Sequence, residues 1–390
     1  MTFNNQRLHV VDALRGFAII SIMLLHNIEH FDFYYLPQGL PAWMITIDGF
    51  IWDSLFFLFG GKSYAIFAFL FGLTFFIQSN NQAQRGHDFR GRFAWRLLLL
   101  LLFGLFNSAF YEGDILSIYA MIGIFLIPFA HLKDRSVFII ALVLMLQPYE
   151  LYELLLALTN PQMEAPQSMA NQYFARIGEY IPGDSFRATV KGNLTNGKAA
   201  VLYWSWENGR IVQTLSLFML GMLAGRRKIF VPSDEMLKLW KRVLLLSVVS
   251  FAVLYPLQLQ SAKMINSEAI LKPFVTIITS WSNLSFMFIL LAGFVLLFEK
   301  SRLHRLLNGF SPLGKMSLSN YIMQSIAGTF IYYGFGLGLY QYTGATWSLL
   351  IGIVLAVLQS RFSRWWMRRH RHGPLEYLWH KATWIGSKRQ

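Results

Sequence analysis

The 390-residue chain contains no cysteine, which excludes thiol nucleophiles, cysteine-held metals and disulfide staples together. Acidic residues are scarce, 20 against 34 lysines and arginines, leaving a formal charge of +14. There is no Gly-rich phosphate loop, and no spacing of histidines and acids that marks a metal centre. No repeat of sequence or hydropathy is visible, which weighs against an inverted-repeat transporter. The opening MTFNNQRLHVVDALRG lacks the small-residue cleavage site of a secretory signal, so residues 11–31 read as an uncleaved first span.

What the chain does have is apolar surface. Hydrophobic residues make up 55% of it and charged ones 14%, a balance that ordinary soluble domains of this length do not show. The many Phe, Trp and Tyr residues suit the hydrocarbon and the headgroup boundary. A crossing takes roughly 20 mostly apolar residues. Windows of that kind fall at 11–30, 62–79, 95–111, 114–131, 136–157, 210–225, 242–258, 273–298, 316–340 and 345–366. The sequence therefore predicts an all-α polytopic membrane bundle of about ten transmembrane helices. The segment AWMITIDGFIWDSLFFLFGG (42–61) is interrupted by Asp48 and Asp53 and reads as interfacial or dipping in without crossing.

Basic groups recur at Arg85–Arg96, His131–Arg135, Gly225–Lys228, Glu299–Arg305 and in the tail. Taken as cytoplasmic, they place both termini inside and the polar stretch 159–200 outside, as a cap or a linker. Residues 1–366 read as a single transmembrane domain. Residues 367–390 read as a basic amphipathic tail on the inner surface, bound to anionic lipid. The positive charge is scattered between apolar runs, so membrane lipid and not nucleic acid is the expected partner.

The stretch VVDALRGFAIISIMLLHN (Val10–Asn27) places ionisable groups in a segment built for lipid. Eleven residues are close to three helical turns, so Arg15 and His26 share a stripe, with Asp12 and His30 near the same face. Such a stripe faces the bundle interior or a wet cavity and marks a pathway or reaction centre. The plainer reading is an Asp12–Arg15 ion pair with His26 bonded to a neighbouring helix. In the chemical reading His26 is a general base, with His30 as its substitute. Glu112 and Asp114 begin a helix, where acids cap it or orient a histidine and hold an acceptor group. Lys62, at an unfavourable helix start, pairs with Asp53 or meets an acidic ligand. Ser317, Asn320 and Gln324 recur at helical spacing and either line a cavity or join helices.

The pattern LRG, an apolar run, then histidine eleven places after the arginine resembles membrane acyltransferases. GKSYAIFAFLFG (61–72), EGDILSIYAMIG (112–123), PLGKMSLSNYIMQS (312–325) and GPLEYLWHKAT (373–383) resemble the YeiB-like family, domain of unknown function 418. That family is grouped with a transmembrane acyltransferase superfamily that includes the lysosomal heparan-glucosaminide N-acetyltransferase. The basic loop GRFAWR (91–96) is similar to a cytosolic loop of that enzyme. The resemblance implies a multi-pass protein of the bacterial inner membrane that moves an acyl group, acetyl first of all, from cytoplasmic acyl-CoA to a sugar or glycan hydroxyl or amine outside. The catalytic histidine of the lysosomal enzyme falls near Leu36 and Pro37, where this chain has none, so the chemistry of acyl transfer makes His26, His30, Asp114 and Glu112 the catalytic candidates and Arg15, Arg96, Arg226 and Lys315, with Arg92, the cations available for donor phosphates. Asp12, Asp53, Lys62, Tyr119, Asn320 and Gln324 are the candidate substrate contacts. Acyl-CoA, an acceptor, membrane lipids and a second copy of the chain are the partners in view, with no metal. The rival readings are a solute transporter using the same polar stripe and a lipid-binding protein without turnover.

Overall fold

The computed structural model describes residues 8–160, 162–165, 167–300 and 302–385. The N-terminal end of the signal reading (1–7) and the tip of the basic tail (386–390) lie outside the described residues. Among the described residues there is no strand. The main helices are α1 (His9–Ile28), α2 (Ala42–Phe59), α3 (Ser63–Ala83), α4 (Arg90–Ser108), α5 (Leu116–Gly123), α6 (Asp134–Met145), α7 (Pro148–Thr159), α8 (Arg210–Arg226), α9 (Asp234–Met264), α10 (Glu268–Lys300), α11 (Ser317–Tyr332), α12 (Ala345–Met367) and α13 (Pro374–Thr383), joined by shorter helical turns.

The chain is an all-α multi-pass membrane protein. Among the described residues six helices are long and apolar enough to cross a bilayer, or seven if the bent pair α6–α7 counts as one. The difference from ten windows has local causes. The 114–131 window breaks into α5 and a four-residue turn, Leu126–Phe129. The 210–225 and 316–340 windows give α8 and α11, 17 and 16 residues long, at or below the lower limit of a crossing. The second window shortens because the chain hooks after Tyr332, where the Gly334 amide donates to the Ile181 carbonyl at 3.0 Å. The α6–α7 bend of 44° falls at Gln147, which is left-handed at φ +56°, and Pro148 restarts the helix at a position that suits it.

Asp48 does not interrupt α2 as an unpaired acid. It is buried, and its carboxylate accepts from the Thr346 amide at 2.8 Å and the Thr346 hydroxyl at 2.5 Å. It thereby caps the start of α12, satisfying backbone donors that the helix itself leaves open. Helices α2 and α3 together form a 42-residue apolar run, about 63 Å at the helical rise and so about twice the hydrocarbon thickness.

Glycine sets the closest approaches. A Cβ on Gly16 would lie 2.0 Å from the Phe310 carbonyl oxygen, and one on Gly314 1.8 Å from the Asp12 carbonyl oxygen. Backbone contact at this crossing brings Lys315 beside α1. The α3–α8 crossing uses the same device, with Gly72 against Phe218 and Gly221 against Phe69. The 169–207 segment does not hang as a linker. Ile177 and Ile181 join Phe31, Tyr111, Tyr332, Tyr333 and Tyr340 in a separate apolar cluster, and the Asn193 amide donates to the Phe110 carbonyl at 2.7 Å.

Candidate functional site: a cavity at the basic end and a histidine cluster at the other

A cavity of about 350 Å³ runs along the polar stripe of α1, lined there by Asp12, Arg15, Ile19 and Ile22. These residues recur every three or four positions and so share one face. Facing them are Tyr64, Phe71 and Thr74 of α3, Arg96 and Leu100 of α4, Tyr119 of α5, Lys315 and Tyr321. The cavity reaches the surface at exposed His372 and His380 and ends at buried Tyr119, Leu116 and Tyr321. One end is therefore cationic and open, the other apolar and closed.

The mouth is built by α13. Glu376 accepts from the amides of Leu318 and Ser319 at 2.8 and 3.1 Å and from the Ser319 hydroxyl at 2.5 Å. It thus caps α11 from a distant part of the chain, where the positive end of the helix favours an anion. Burial nonetheless pushes its carboxyl above the usual range. On the opposite edge the Arg96 guanidinium lies 4.2 Å above the Trp379 ring, Trp379 Nε1 donates to the Arg96 carbonyl, and Arg92 donates to the Thr383 carbonyl at 2.7 Å. His372 and His380 stack at 5.1 Å between ring centres. Burial, then the neighbouring His372, holds His380 below the ordinary imidazole value. Arg15 is 3.6 Å from Asp12 and also donates to the Thr74 hydroxyl.

His26 is the next residue of the α1 stripe after Ile22, but it does not line this cavity. Its Nδ1 lies 3.1 Å from Tyr111 Oη and 3.4 Å from Glu29 Oε2, and its side chain keeps 20% of its surface exposed. That remaining exposure is not to the cavity, whose lining does not include His26. Beyond α1 the chain turns back through His30, Phe31 and Asp32, all left-handed at φ +50°, +55° and +65°. This turn carries Asp32 back to the helix end, where desolvation and the neighbouring Glu29 push its carboxyl up to about 6. Glu112 is fully buried, with its carboxyl pushed up to about 8 by burial and by Asp32, and it accepts from the Tyr333 hydroxyl at 3.2 Å.

The expected site residues divide between these two ends and the packing between them. Asp12, Arg15, Arg96, Lys315 and Tyr119 line the cavity, and the Tyr119 hydroxyl donates to the Tyr64 carbonyl at 2.7 Å. Arg226 does not. It clamps the 130–134 turn, donating to the Ala130 and Leu132 carbonyls and to Asp134. His30 faces away from His26, stacked on Tyr332 and 2.8 Å from the Ser348 hydroxyl. Asp114 does not orient a histidine. It caps Ser117 at 2.9 Å and meets the Lys198 ammonium at 3.6 Å. Lys62 does not pair with Asp53: its ammonium donates to the Phe56 carbonyl at 3.4 Å and lies over the Phe57 and Phe286 rings, while Asp53 is exposed. Asn320 and Gln324 join helices through Ser363 and Gln359, leaving Ser317 as the member of that trio at the cavity. The sequence reading passed over Glu29, Asp32 and Tyr111 at one end and His372, Glu376, Trp379 and His380 at the other. The His26 and Glu29 spacing of three was a usable signal, whereas the rest needed the turn and the fold of the tail.

Comparison with known proteins finds similar sequences. Residues 224–386 match the family described as "Protein of unknown function (DUF418)". The chain is 29% identical to "Uncharacterized protein YxaH" of Bacillus subtilis (strain 168), covering 98% of this chain and 96% of that one. It is 26% identical to "Uncharacterized protein YeiB" of Escherichia coli (strain K12), covering 96% and 95%. The similarity to that family model is confined to the C-terminal part of the chain, whereas the similarity to these two relatives runs along nearly all of it. A third relative, "Uncharacterized 39.9 kDa protein in amylase 3'region" of Bacillus acidopullulyticus, is 24% identical over 97% of this chain and 94% of its own. The matched region begins inside α8 and runs past α13, so it takes in Lys315, Tyr321 and the mouth of the cavity.

Proposed function

We propose that this protein is a membrane acyltransferase of the bacterial inner membrane, which draws acyl-CoA from the cytoplasm into the cavity at the basic end and delivers the acyl group toward a sugar or glycan hydroxyl or amine at the other end. The observation that carries the reading is the form of the cavity. Arg15, Arg96 and Lys315 stand at an open mouth, and the interior narrows into a pocket walled by phenylalanine, leucine and tyrosine. Cations suit the phosphates of the donor, and the apolar end suits an acyl chain. The basic residues at that mouth support a cytoplasmic opening, by the positive-inside rule. His26, continuing the same helix stripe, is the base: with Nδ1 held by Glu29 and Tyr111, Nε2 is the ring nitrogen left to take the acceptor's proton.

Titration of the purified protein with a panel of acyl-CoA esters tests the reading. Binding that Arg96→Gln and Lys315→Ala weaken supports it, as does transfer that His26→Ala abolishes without loss of donor binding. No binding, or solute uptake into liposomes without CoA, overturns it. One observation favours a second reading, lipid binding without turnover. Ile22, Leu116 and Tyr321 close the cavity short of His26, with the Tyr321 hydroxyl accepting from the Ile115 amide at 3.2 Å. Phospholipid retained in the cavity, with CoA failing to compete, decides for that alternative.

A further inference from the structure

We propose that the acidic end of α1 is a divalent transition-metal site formed by His26, Glu29 and Asp32, with Glu112 behind it. Ligand atoms of the first three all lie within 4.8 Å of one another. Metal bonds to imidazole and carboxylate are about 2.0–2.2 Å, so ligand atoms around one ion stand roughly 3–4 Å apart, and side-chain rotation closes the set. The spacing, histidine then acids three and six places on, is not a linear helical motif. It works because three successive left-handed residues fold Asp32 back under the last turn of α1.

The carboxyl groups gathered at this point suit a cation, whose arrival would displace their protons. Glu29, Asp32 and Glu112 bring three carboxyl groups together, and among the described residues none of them pairs with a lysine or arginine. They also sit at the C-terminal end of a 20-residue helix, the negative end of its dipole, where acids are unfavourable and cations favoured. A second observation comes from another element. Glu112 is fully buried, and its Oε1 has no hydrogen-bond partner. Its carboxylate faces the same turn, since the Tyr333 hydroxyl bridges Glu112 Oε2 at 3.2 Å and the Phe31 carbonyl at 2.7 Å. Asp32 Oδ2 packs against the adjacent Gly113, where a Cβ would come within 2.6 Å of it. A buried polar atom without a partner is costly, and an ion between the two loops would satisfy it.

One imidazole with carboxylates selects Zn²⁺ or Mn²⁺ over Ca²⁺ and Mg²⁺, which favour all-oxygen shells. The inference goes beyond the transfer reading and does not rest on it. It also bears on that reading: with Nδ1 on an ion, Nε2 keeps the ring proton and His26 becomes a donor, so a metallated His26 is not a base.

The test is a Zn²⁺ titration of the full-length protein in detergent, stripped with a chelator and carrying no histidine tag. One Zn²⁺ per chain is expected, with Ca²⁺ unable to displace it. Asp32→Asn and His26→Gln should each weaken binding by roughly tenfold or more, at least the loss that follows from disturbing a ligand's support. Asparagine tolerates the left-handed backbone at position 32, and unchanged helical circular dichroism shows that each variant is folded. Failure of the wild type to bind, equal binding by Asp32→Asn, or preference for Ca²⁺ overturns the proposal. Zinc binding, with no acyl transfer by either the zinc-loaded or the chelator-stripped protein, would leave the metal site standing and defeat the transfer reading alone.

Discussion

Tyr111 meets His26 edge-on, ring centres 4.9 Å apart and planes at 64°, with its hydroxyl on the same imidazole nitrogen that Glu29 faces. The contact spans 85 residues of sequence, and it joins the end of the first helix to the loop after the fourth. Tyr111→Phe keeps both the ring packing and the burial and removes the hydroxyl alone. Loss of the hydrogen bond should cost about 1 kcal/mol of stability. If His26 acts as base, transfer should fall by at least tenfold, part of the roughly 10²–10⁴ that a positioned base contributes, while acyl-CoA binding is unchanged. A parallel loss of donor affinity would show that the two ends are not separate.

The glycine crossings give a prediction independent of function. A Cβ at Gly72 would lie 1.9 Å from the Phe218 carbonyl oxygen, a clash with backbone that no rotamer change relieves. Gly72→Ala should destabilise the protein by about 1–3 kcal/mol or more, the range for overpacking, read as a lower melting temperature in detergent. Gly91→Ala is the control, because nothing lies within 4 Å of that position, and it should leave the melting temperature unchanged.

Two groups at the acidic end give opposite pH slopes in chelator-treated protein. Burial holds His30 down to about 4 from an ordinary 6.5. Its contribution is therefore fully present above pH 6.5 and is lost as the pH falls toward 4, because the unfolded chain takes up the proton first. Glu112, pushed up to about 8 from 4.5, favours its protonated form, so stability falls as the pH rises from 4.5 toward 8. The slope of each is at most about 1.4 kcal/mol per pH unit. Melting temperatures from pH 4 to pH 8 should show His30→Gln flattening the acid limb and Glu112→Gln the alkaline limb. Parallel curves for wild type and both variants would contradict this assignment.

The membrane bundle was legible from composition and apolar windows, and the polar face of α1 from the spacing of Asp12, Arg15 and His26. Its two-part use was not. Periodicity predicts that Arg15 and His26 share a face, but only packing shows that Ile22 and Tyr321 divide the stripe into a cavity and a separate cluster. Asp48 looked like an interruption because sequence does not show the remote helix end that it caps. Arg226 looked available because every basic loop residue does, and its carbonyl partners lie more than 90 residues away. The tail was read as lying on lipid, since dense charge with tryptophan fits that role. Glu376, Trp379 and Arg96 also dock it against the mouth of the cavity, a contact between distant parts of the chain that charge and composition do not encode.

That docking has a consequence for how the protein is made. Four of the walls, α1, α3, α4 and α5, are complete before residue 124, yet the mouth of the vestibule they share lacks one edge until Pro374–Thr383 has been made. Some 250 residues separate α5 from α13, so the basic mouth takes its outer edge only when this ten-residue helix docks against walls made long before it.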